Sequence, residues 1–234
     1  MATLYAPKVE AVLKRLFAAT VIQEAAPLGL PAGFSFATAS PQDRADAMAG
    51  VYMPVSARGG NLLYSLVRAT RPQTVVEFGT SFGISTIYLA SAVADNGTGH
   101  VFGTELSSTK VGAARLNLAS AGLADLATIL PGDALQTLRD LGGPIGLVLL
   151  DGWKDMNLPL LKLLEPRLTD GALVIGDDID LASMTDYLNY VRNPMNGYVS
   201  VAFPVDDGME ISCRATHCIE AAGSAVRRSA PLAL

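Results

Sequence analysis

The sequence has 234 residues, of which half are apolar and 17% are charged. This composition excludes a disordered polar chain and fits one α/β domain with a substantial core. The formal net charge of −5, without any basic run, argues against a nucleic-acid-binding surface. No apolar run approaches the roughly 20 residues of a membrane span, so we expect a cytoplasmic protein with no membrane partner.

Cysteine and histidine are scarce, which limits the metal and redox chemistry available to the chain. Cys213 and Cys218 are too few for a disulfide framework, and their spacing lacks the second pair of a zinc site. We expect both to be reduced thiols. With His100 and His217 as the two histidines, a histidine-based metal site is nearly excluded.

The first 50 residues are predicted to form a helical segment of their own. Apolar residues between positions 4 and 17 fall on one face of an amphipathic helix, and a short apolar stretch there is better explained by that helix than by a signal peptide. A loop rich in Gly, Pro, Ala and Ser follows, and then a short helix after Ser40-Pro41. Another helix is predicted from Gly59 to Thr70.

From residue 74 onward, strand and helix patterns alternate. The strand candidates are continuous apolar runs, as expected when helices cover both faces of a sheet: Thr74–Phe78, His100–Glu105, Ala127–Leu130, Ile145–Asp151 and Ala172–Asp177. The helical stretches are Ile84–Ala94, Thr109–Ala121, Leu135–Leu141, Leu158–Leu168 and Leu181–Val191. The alternation predicts a parallel, doubly wound sheet.

The C-terminal part of the chain departs from this alternation. Two strand-like runs, Tyr198–Val205 and Met209–Ala215, are separated by Asp206-Asp207-Gly208, which is a hairpin signal. We therefore predict an α/β fold whose doubly wound, seven-stranded, mostly parallel sheet ends in an antiparallel C-terminal hairpin. We divide the chain into an N-terminal segment at 1–50, a main domain at 51–216 and a tail at 217–234.

The segment Val75–Gly83 combines a strand, a glycine turn and a helix start. Gly79 and Gly83 let a ligand approach the backbone closely, and the following helix offers free N–H groups. Glu77 is a carboxylate within a buried strand, which is costly unless it is paired, so a cationic ligand group is a suitable partner. The alternative is that Glu77 bonds to backbone amides of its own loop.

Acids also follow the next two strands. Glu105 closes the second strand, where an acid accepts hydrogen bonds from ribose hydroxyls in nucleoside-binding sheets. An acid before Ser107-Ser108 could instead cap a helix. Gly132-Asp133-Ala134 follows the third strand, where an adenine edge would lie, and Asp133 could equally be a helix N-cap.

The glycine loop Gly79–Gly83 also matches the nucleophile elbow of hydrolases, with Ser81 as the nucleophile. Asp177 and His217 follow in the order of a Ser–Asp–His triad. However, no oxyanion-hole motif precedes the loop, and a hydrolase would leave the acids of the first two strands and Lys154 without a role. A serine hydrolase is therefore the minor alternative.

Three carboxylates end the fourth and fifth strands. Asp151 lies three residues before Lys154, and Asp177-Asp178 follow Gly176. Ligands of doubly wound sheets gather at the carboxyl ends of the strands, near the point where strand order reverses. All-oxygen ligation there favours Mg²⁺ or Ca²⁺. The alternative makes these acids helix caps and turn residues, and makes Lys154 a solvated surface lysine.

From about Tyr52 to Ala215 the chain resembles class I S-adenosylmethionine-dependent O-methyltransferases of the catechol and caffeoyl-CoA type. The strongest segment, Leu150-Asp151-Gly152-Trp153-Lys154-Asp155, is similar to the L-D-H-W-K-D of the catechol enzymes. Supporting segments, in the family's order, are Val76-Glu77-Phe78-Gly79, Gly176-Asp177-Asp178 and Asp207-Gly208-Met209-Glu210. Gly152 stands in place of the family's histidine and Asp178 in place of its asparagine.

The resemblance implies a Rossmann-like methyltransferase fold, S-adenosylmethionine as cofactor, Mg²⁺ or another divalent cation, and a small aromatic or vicinal-hydroxyl acceptor. Asp151, Asp177 and Asp178 would hold the cation, Lys154 would deprotonate the acceptor hydroxyl, and Glu210 would bind the neighbouring hydroxyl. The implied cofactor-binding residues are Val55, Glu77, Gly79, Ser85, Glu105, Asp133, Ala134, Asp151 and Trp153.

The family also implies a homodimer and an acceptor pocket shaped by residues 1–50. A metal-independent small-molecule methyltransferase of the same fold is the main alternative.

Overall fold

The fold is a seven-stranded sheet with helices on both faces, in a computed structural model that describes residues 1–215. The strands are β1 Thr74–Phe78, β2 His100–Glu105, β3 Ala127–Pro131, β4 Ile145–Leu150, β5 Leu168–Asp177, β6 Tyr198–Phe203 and β7 Met209–Arg214. The α-helices are α1 Pro7–Glu24, α2 Pro41–Ala47, α3 Ala57–Thr70, α4 Ile84–Asn96, α5 Ser108–Ala121, α6 Ala134–Thr137, α7 Asn157–Leu164 and α8 Thr185–Arg192. The tail predicted at 217–234, with His217 and Cys218, lies outside the described residues.

The strand order is β3-β2-β1-β4-β5-β7-β6. β1 pairs in parallel with both β2 and β4, so strand order reverses between β1 and β4. β7 runs antiparallel to β5 and to β6. The predicted doubly wound parallel sheet with a C-terminal hairpin is therefore confirmed.

The strands are buried on both faces, which explains their continuous apolar runs. Along β4, Leu147 and Leu149 face the core beneath α3, α4 and α5, whereas Val148 and Leu150 face the core beneath α7 and α8. All four are fully buried. Both faces of β4 accept only apolar side chains, so the first acidic residue, Asp151, follows the end of the strand.

The helix predicted over Leu135–Leu141 is shorter in the structure, where α6 spans four residues, Ala134–Thr137. The segment after α6 is held by a side chain from another part of the chain. Arg167 Nη1 donates to the carbonyl oxygens of Leu138, Arg139 and Leu141 at 2.8–3.1 Å.

The helix predicted over Leu158–Leu168 also ends early, at Leu164. A 3₁₀ turn follows at Glu165–Arg167 and contains Pro166, which has no amide hydrogen to continue an α-helix. β5 consequently begins at Leu168, four residues before its predicted start. The helix predicted at Leu181–Val191 is a 3₁₀ turn followed by α8.

The N-terminal helix α1 packs directly on the sheet's helical layer. Val9, Val12, Leu13 and Leu16 are buried in the same core as α3, α4 and α5. At the start of the chain, Thr3 binds the Asp95 carboxylate through its amide and its hydroxyl. No helix within residues 1–215 combines the length and apolar composition needed to cross a bilayer.

Candidate cofactor and cation site

A cavity of about 450 Å³ opens at the carboxyl ends of β1, β2, β4 and β5. It lies where strand order reverses, the place at which doubly wound sheets bind ligands. The residues singled out in the sequence that line it are Gly79, Ser81, Glu105, Ala134, Asp151, Trp153, Lys154, Asp177 and Asp178. The glycine turn after β1 and the acids after β4 and β5 thus share one cavity.

Asp151, Asp177 and Asp178 converge in this cavity. One carboxylate oxygen from each lies within 4.8 Å of the others. Asp178 has a left-handed backbone, with φ 56°. Burial, together with the nearby charges of Asp151 and Asp178, raises the pKa of Asp177 to about 8. Asp177 is buried and the other two are partly buried, so the mutual repulsion of these carboxylates favours a compensating cation.

Lys154 supplies a positive charge between two of these acids. Its Nζ lies 3.0 Å from Asp151 Oδ1 and 2.9 Å from Asp178 Oδ2, and its side chain is 9% exposed. Burial alone would lower the pKa of Lys154, but the two carboxylates outweigh burial and raise it above the ordinary lysine value. The alternative of a solvated surface lysine is therefore wrong.

Asp177 retains an unused ligand position. Its Oδ1 is buried and has no hydrogen-bond partner within residues 1–215. A buried carboxylate oxygen without a partner is costly, and a hard cation would satisfy it. The all-oxygen donor set of the three aspartates therefore fits a divalent cation of the Mg²⁺ type.

The glycine turn packs against the end of β4. Gly79 has φ +95°, and a Cβ there would lie 2.5 Å from the Asp151 carbonyl oxygen. The Asp151 amide donates to the Phe78 carbonyl at 2.9 Å. The turn and the first acid are therefore held in direct contact, and only glycine fits at position 79.

Gly152 has a packing reason as well. A Cβ at this position would lie 2.5 Å from the Phe78 ring. The histidine that the catechol enzymes carry in the L-D-H-W-K-D segment would force the Phe78 ring to shift in this chain. The next residue, Trp153, lines the cavity and contacts the N-terminal segment, with the Arg44 guanidinium 5.7 Å from its ring centroid.

Glu77 lies beneath the glycine turn rather than on the cavity wall. It is fully buried, and its Oε2 accepts hydrogen bonds from Thr80 Oγ1 at 2.9 Å and Thr86 Oγ1 at 2.6 Å. Oε1 has no partner among the described residues. Burial raises the pKa of Glu77 to about 7. Hydroxyls of its own loop and helix, rather than backbone amides, hold one of its oxygens, and Ser85 is a further hydroxyl beside it.

Glu105 lines the cavity and ties two segments together. Its Oε2 accepts from the Ser81 amide and its Oε1 from the Ser107 amide, both at 2.8 Å. The N-cap of α5 is Ser107, whose hydroxyl accepts from the Lys110 amide. The alternative in which Glu105 caps the helix is therefore wrong.

Val55 and Asp133, like Glu77 and Ser85, were predicted to bind the cofactor but do not line this cavity. Asp133 is the N-cap of α6 and accepts from the Leu135 amide at 2.9 Å, while Gly132 and Ala134 line the cavity. Val55 lines an adjoining cavity of about 340 Å³ that shares Asp177 and Asp178 with the first. The N-cap interpretation of Asp133 is confirmed.

Glu210 does not reach the cavity, which corrects the prediction that it binds an acceptor hydroxyl. It pairs with Gly176 in the β5–β7 ladder, so its side chain lies on the sheet face covered by α7 and α8. There it is 1% exposed and forms two bonds with Arg192, at 2.7 and 2.9 Å. Met209, which pairs with Asp177, lies on the face of the sheet on which Glu210 was expected.

The described residues hold no catalytic triad around Ser81. Ser81 lines the cavity with φ 49°, as a strained turn residue does. His100, however, begins β2 at the opposite edge of the sheet and bonds to Thr128 Oγ1 at 2.8 Å. His217, which the hydrolase alternative needs, lies outside the described residues.

Several residues that the fold brings to the site are marked by no sequence pattern. From the N-terminal segment, Glu24, Ala45 and Met48 line the cavity. Arg44 forms a bidentate ion pair with Asp155 at 3.0–3.1 Å, next to Trp153. These contacts join positions more than 100 residues apart, so no local sequence pattern predicts them.

Known proteins resemble the chain in the same region. A family described as "Methyltransferase domain" matches residues 76–179. A catechol O-methyltransferase of Mycobacterium tuberculosis is 36% identical over 126 residues, covering 53% of this chain and 56% of that protein. Catechol O-methyltransferase B of Danio rerio is 31% identical over 174 residues, covering 68% and 65%. The matches thus span between about half and two thirds of these relatives.

Solved structures extend the likeness to nearly the whole described chain. Cofactor-bound Rv0187 from MTB superposes with a TM-score of 0.67 at 26% identity, covering 87% of this chain and 89% of that one. A putative O-methyltransferase from Klebsiella pneumoniae superposes with a TM-score of 0.67 at 23% identity, covering 90% of each. With the sheet order and the strand-end acids described above, these likenesses show a chain with a Rossmann-like methyltransferase fold whose sequence is similar to catechol O-methyltransferases.

Proposed function

We propose that this protein transfers a methyl group from S-adenosylmethionine to a hydroxyl of a small aromatic or vicinal-diol acceptor, with a divalent cation such as Mg²⁺ at the acids. One observation carries the proposal: the glycine turn, Glu105, the three aspartates and Lys154 line a single cavity. A methyl donor and an activated hydroxyl can be held side by side there, and such positioning supplies much of the rate of a transfer reaction.

The cofactor would lie along the β1 and β2 ends of the cavity. The turn at Gly79 and Ser81 would face its amino-acid part, and Glu105 would accept from ribose hydroxyls through the lone pairs that its two backbone bonds leave free. Backbone groups at Gly132 and Ala134, with the Trp153 ring, would surround the adenine. The unpartnered Glu77 Oε1 is a candidate for an indirect contact with the cofactor's ammonium.

Asp151, Asp177 and Asp178 would hold the cation. When bound, a divalent cation lowers the pKa of a hydroxyl that it contacts and orients two vicinal oxygens. The convergence of the three carboxylates and the unpartnered Asp177 Oδ1 support this role.

Lys154 would accept the acceptor's proton. In the transfer, the acceptor oxygen forms a bond to the methyl carbon while the carbon–sulfur bond breaks, and the hydroxyl proton passes to a neutral Nζ. Because Asp151 and Asp178 now hold the proton on Lys154, it can act as a base only when their charge is balanced by another cation. Ala45 and Met48 would form an apolar wall against an aromatic acceptor.

The test is methyl transfer to a panel of catechols, flavonoids and other hydroxylated aromatics, followed by mass spectrometry, with Mg²⁺ or with EDTA. We expect vicinal diols to gain one methyl group with Mg²⁺ and to stay unmethylated with EDTA. Calorimetry with S-adenosylhomocysteine is the independent check. If the protein does not bind this product, the proposed function is wrong.

A metal-independent methyltransferase is the second candidate. It is favoured by Lys154, whose ammonium already forms ion pairs with two of the three carboxylates. In that case turnover would persist in EDTA and in Asp177→Asn. The cation-dependent reaction predicts instead that Asp177→Asn loses turnover but still binds S-adenosylhomocysteine.

A further inference from the structure

Lys110 is a buried lysine on the wall of the cavity that the proposed reaction does not use. It lies in the first turn of α5 and is 3% exposed, yet it lines the same cavity as Glu105 and Ser81. Lysine is almost never buried to this degree without a partner. Its position therefore calls for a specific explanation.

The ammonium of Lys110 has no carboxylate partner within residues 1–215. Its protein contact is the face of the Phe82 ring, whose centroid lies 5.6 Å from Nζ. Phe82 is itself stacked on Tyr52 at 4.0 Å, so the ring is held in place. A cation–π contact compensates only part of the cost of burying an ammonium and leaves its N–H donors free. Those donors are available to a ligand in the cavity.

Glu105 provides the complementary chemistry beside Lys110. Burial lowers the pKa of Lys110, and the Glu105 charge opposes that shift, so the two groups are close although they form no ion pair. Each Glu105 oxygen accepts one backbone N–H and has a second acceptor site left. The cavity wall thus offers an acceptor-only group and a donor-only group, set apart from each other.

A ribose hydroxyl needs both kinds of partner, because it carries one donor hydrogen and two acceptor lone pairs. We propose that Lys110 is a cofactor-binding residue that donates a hydrogen bond to a ribose hydroxyl oxygen, while Glu105 accepts from the ribose diol. The inference rests on the proposed function, since it assumes an adenosine-type cofactor in this cavity. It assigns to Lys110 a role in binding rather than in the transfer step.

Calorimetry with S-adenosylhomocysteine, adenosine, 2′-deoxyadenosine and 3′-deoxyadenosine tests this assignment. A hydrogen bond from a charged donor is worth about tenfold to a hundredfold in affinity. We expect Lys110→Met to weaken the binding of S-adenosylhomocysteine and of adenosine by that factor. For the analogue that lacks the contacted hydroxyl, wild type and Lys110→Met should bind equally. Lys162→Met is the matched control, since Lys162 also lies over an aromatic ring, that of Tyr190, but on α7 beyond the cavity lining.

The other outcomes are distinct. If Lys110→Met binds adenosine as tightly as wild type does, Lys110 only packs on Phe82 and the inference is wrong. The same holds if Lys110→Met loses the same factor of affinity for all four ligands. If wild type binds none of the four, the proposed function fails with it. Lys110→Arg keeps the charge and the donors, so it should retain most of the affinity. If thermal unfolding shows that the methionine variant is not folded, Lys110→Gln, which is shorter and uncharged, replaces it in the comparison.

Discussion

Lys154 holds the acidic cluster together while no other cation is bound. Its ammonium contacts Asp151 and Asp178, and Asp177 lies against both acids. Removing one partner of a buried ion pair leaves an uncompensated charge, which is strongly destabilising.

We therefore expect Lys154→Met to lower the free energy of unfolding in EDTA by about 2 kcal/mol, a value reduced for the partial exposure of Asp178. Millimolar Mg²⁺ should restore much of this loss, because it would replace the missing charge. Urea unfolding with and without Mg²⁺ measures both effects. A loss that Mg²⁺ does not reverse would contradict the cation site.

Glu77 predicts a pH dependence of stability. Its folded pKa of about 7 lies above its ordinary value of 4.5 because of burial. The folded state therefore binds the proton more tightly, so this contribution to stability is complete below pH 4.5 and is lost as the pH rises to about 7. Glu77→Gln, which stays neutral, should remove this slope and be more stable than wild type at pH 8 by about 2–3 kcal/mol. Urea unfolding at pH 5 and pH 8 measures this effect. If the free energy of unfolding of Glu77→Gln depends on pH as that of wild type does, the raised pKa of Glu77 is contradicted.

Gly152 makes a packing prediction. Gly152→Ala places a methyl group 2.5 Å from the Phe78 ring, and we expect a loss of stability of about 1–3 kcal/mol. Combining it with Phe78→Leu should cost less than the sum of the two single changes, which thermal unfolding can measure. Gly112→Ala on α5 is the control, because a Cβ there meets nothing within 4 Å and alanine favours a helix. Equal effects at 112 and 152 would contradict this account.

At the scale of elements, α2 is fixed to the segment after β4 by one arginine. Arg44 pairs with Asp155 through both guanidinium nitrogens and lies over Trp153. The α2 residue Ala45 and the following Met48 line the cavity, so the position of α2 sets one wall of it.

We expect Arg44→Ala to raise the KM for the acceptor about threefold to tenfold, because the wall loses a half-exposed ion pair and its cation–π contact. The Kd of S-adenosylhomocysteine should stay unchanged. Steady-state kinetics with the best acceptor of the panel measures the first value and calorimetry the second. The exchanged pair Arg44→Asp with Asp155→Arg should recover part of the loss; weaker cofactor binding in Arg44→Ala would contradict a role confined to the acceptor side.

The elements were predictable where local pattern decides and not where distant contacts do. The bounds of β1 and β2 agree with the prediction, since continuous apolar runs flanked by turn residues leave little choice. α6 is shorter than predicted, and the segment after it is held by Arg167, from another part of the chain, which donates to the carbonyls of Leu138 and Leu141. Helix ends of this kind depend on tertiary contacts.

At the scale of the whole molecule, the alternation of strands and helices predicted that the acids of three strands lie at one edge of the sheet, because the carboxyl ends of parallel strands meet there. Glu210 was misassigned because β7 is antiparallel, and the face of each side chain then depends on a register that the hairpin signal does not fix. Lys110 was missed because its burial results from Phe82 and Tyr52, which come from other elements. The homodimer and the cytoplasmic location remain predictions.

The contact between Gly79 and the Asp151 carbonyl has a consequence for motion. The amide–carbonyl bond between Asp151 and Phe78 couples the two strand tips, so a displacement of one carries the other with it. The spacing between a donor seated on the first tip and an ion seated on the second is then set by the backbone, not by flexible side chains. Reorganisation during a catalytic cycle would fall instead to α2, which meets the segment after β4 through the Arg44–Asp155 ion pair and the contact of Arg44 with Trp153.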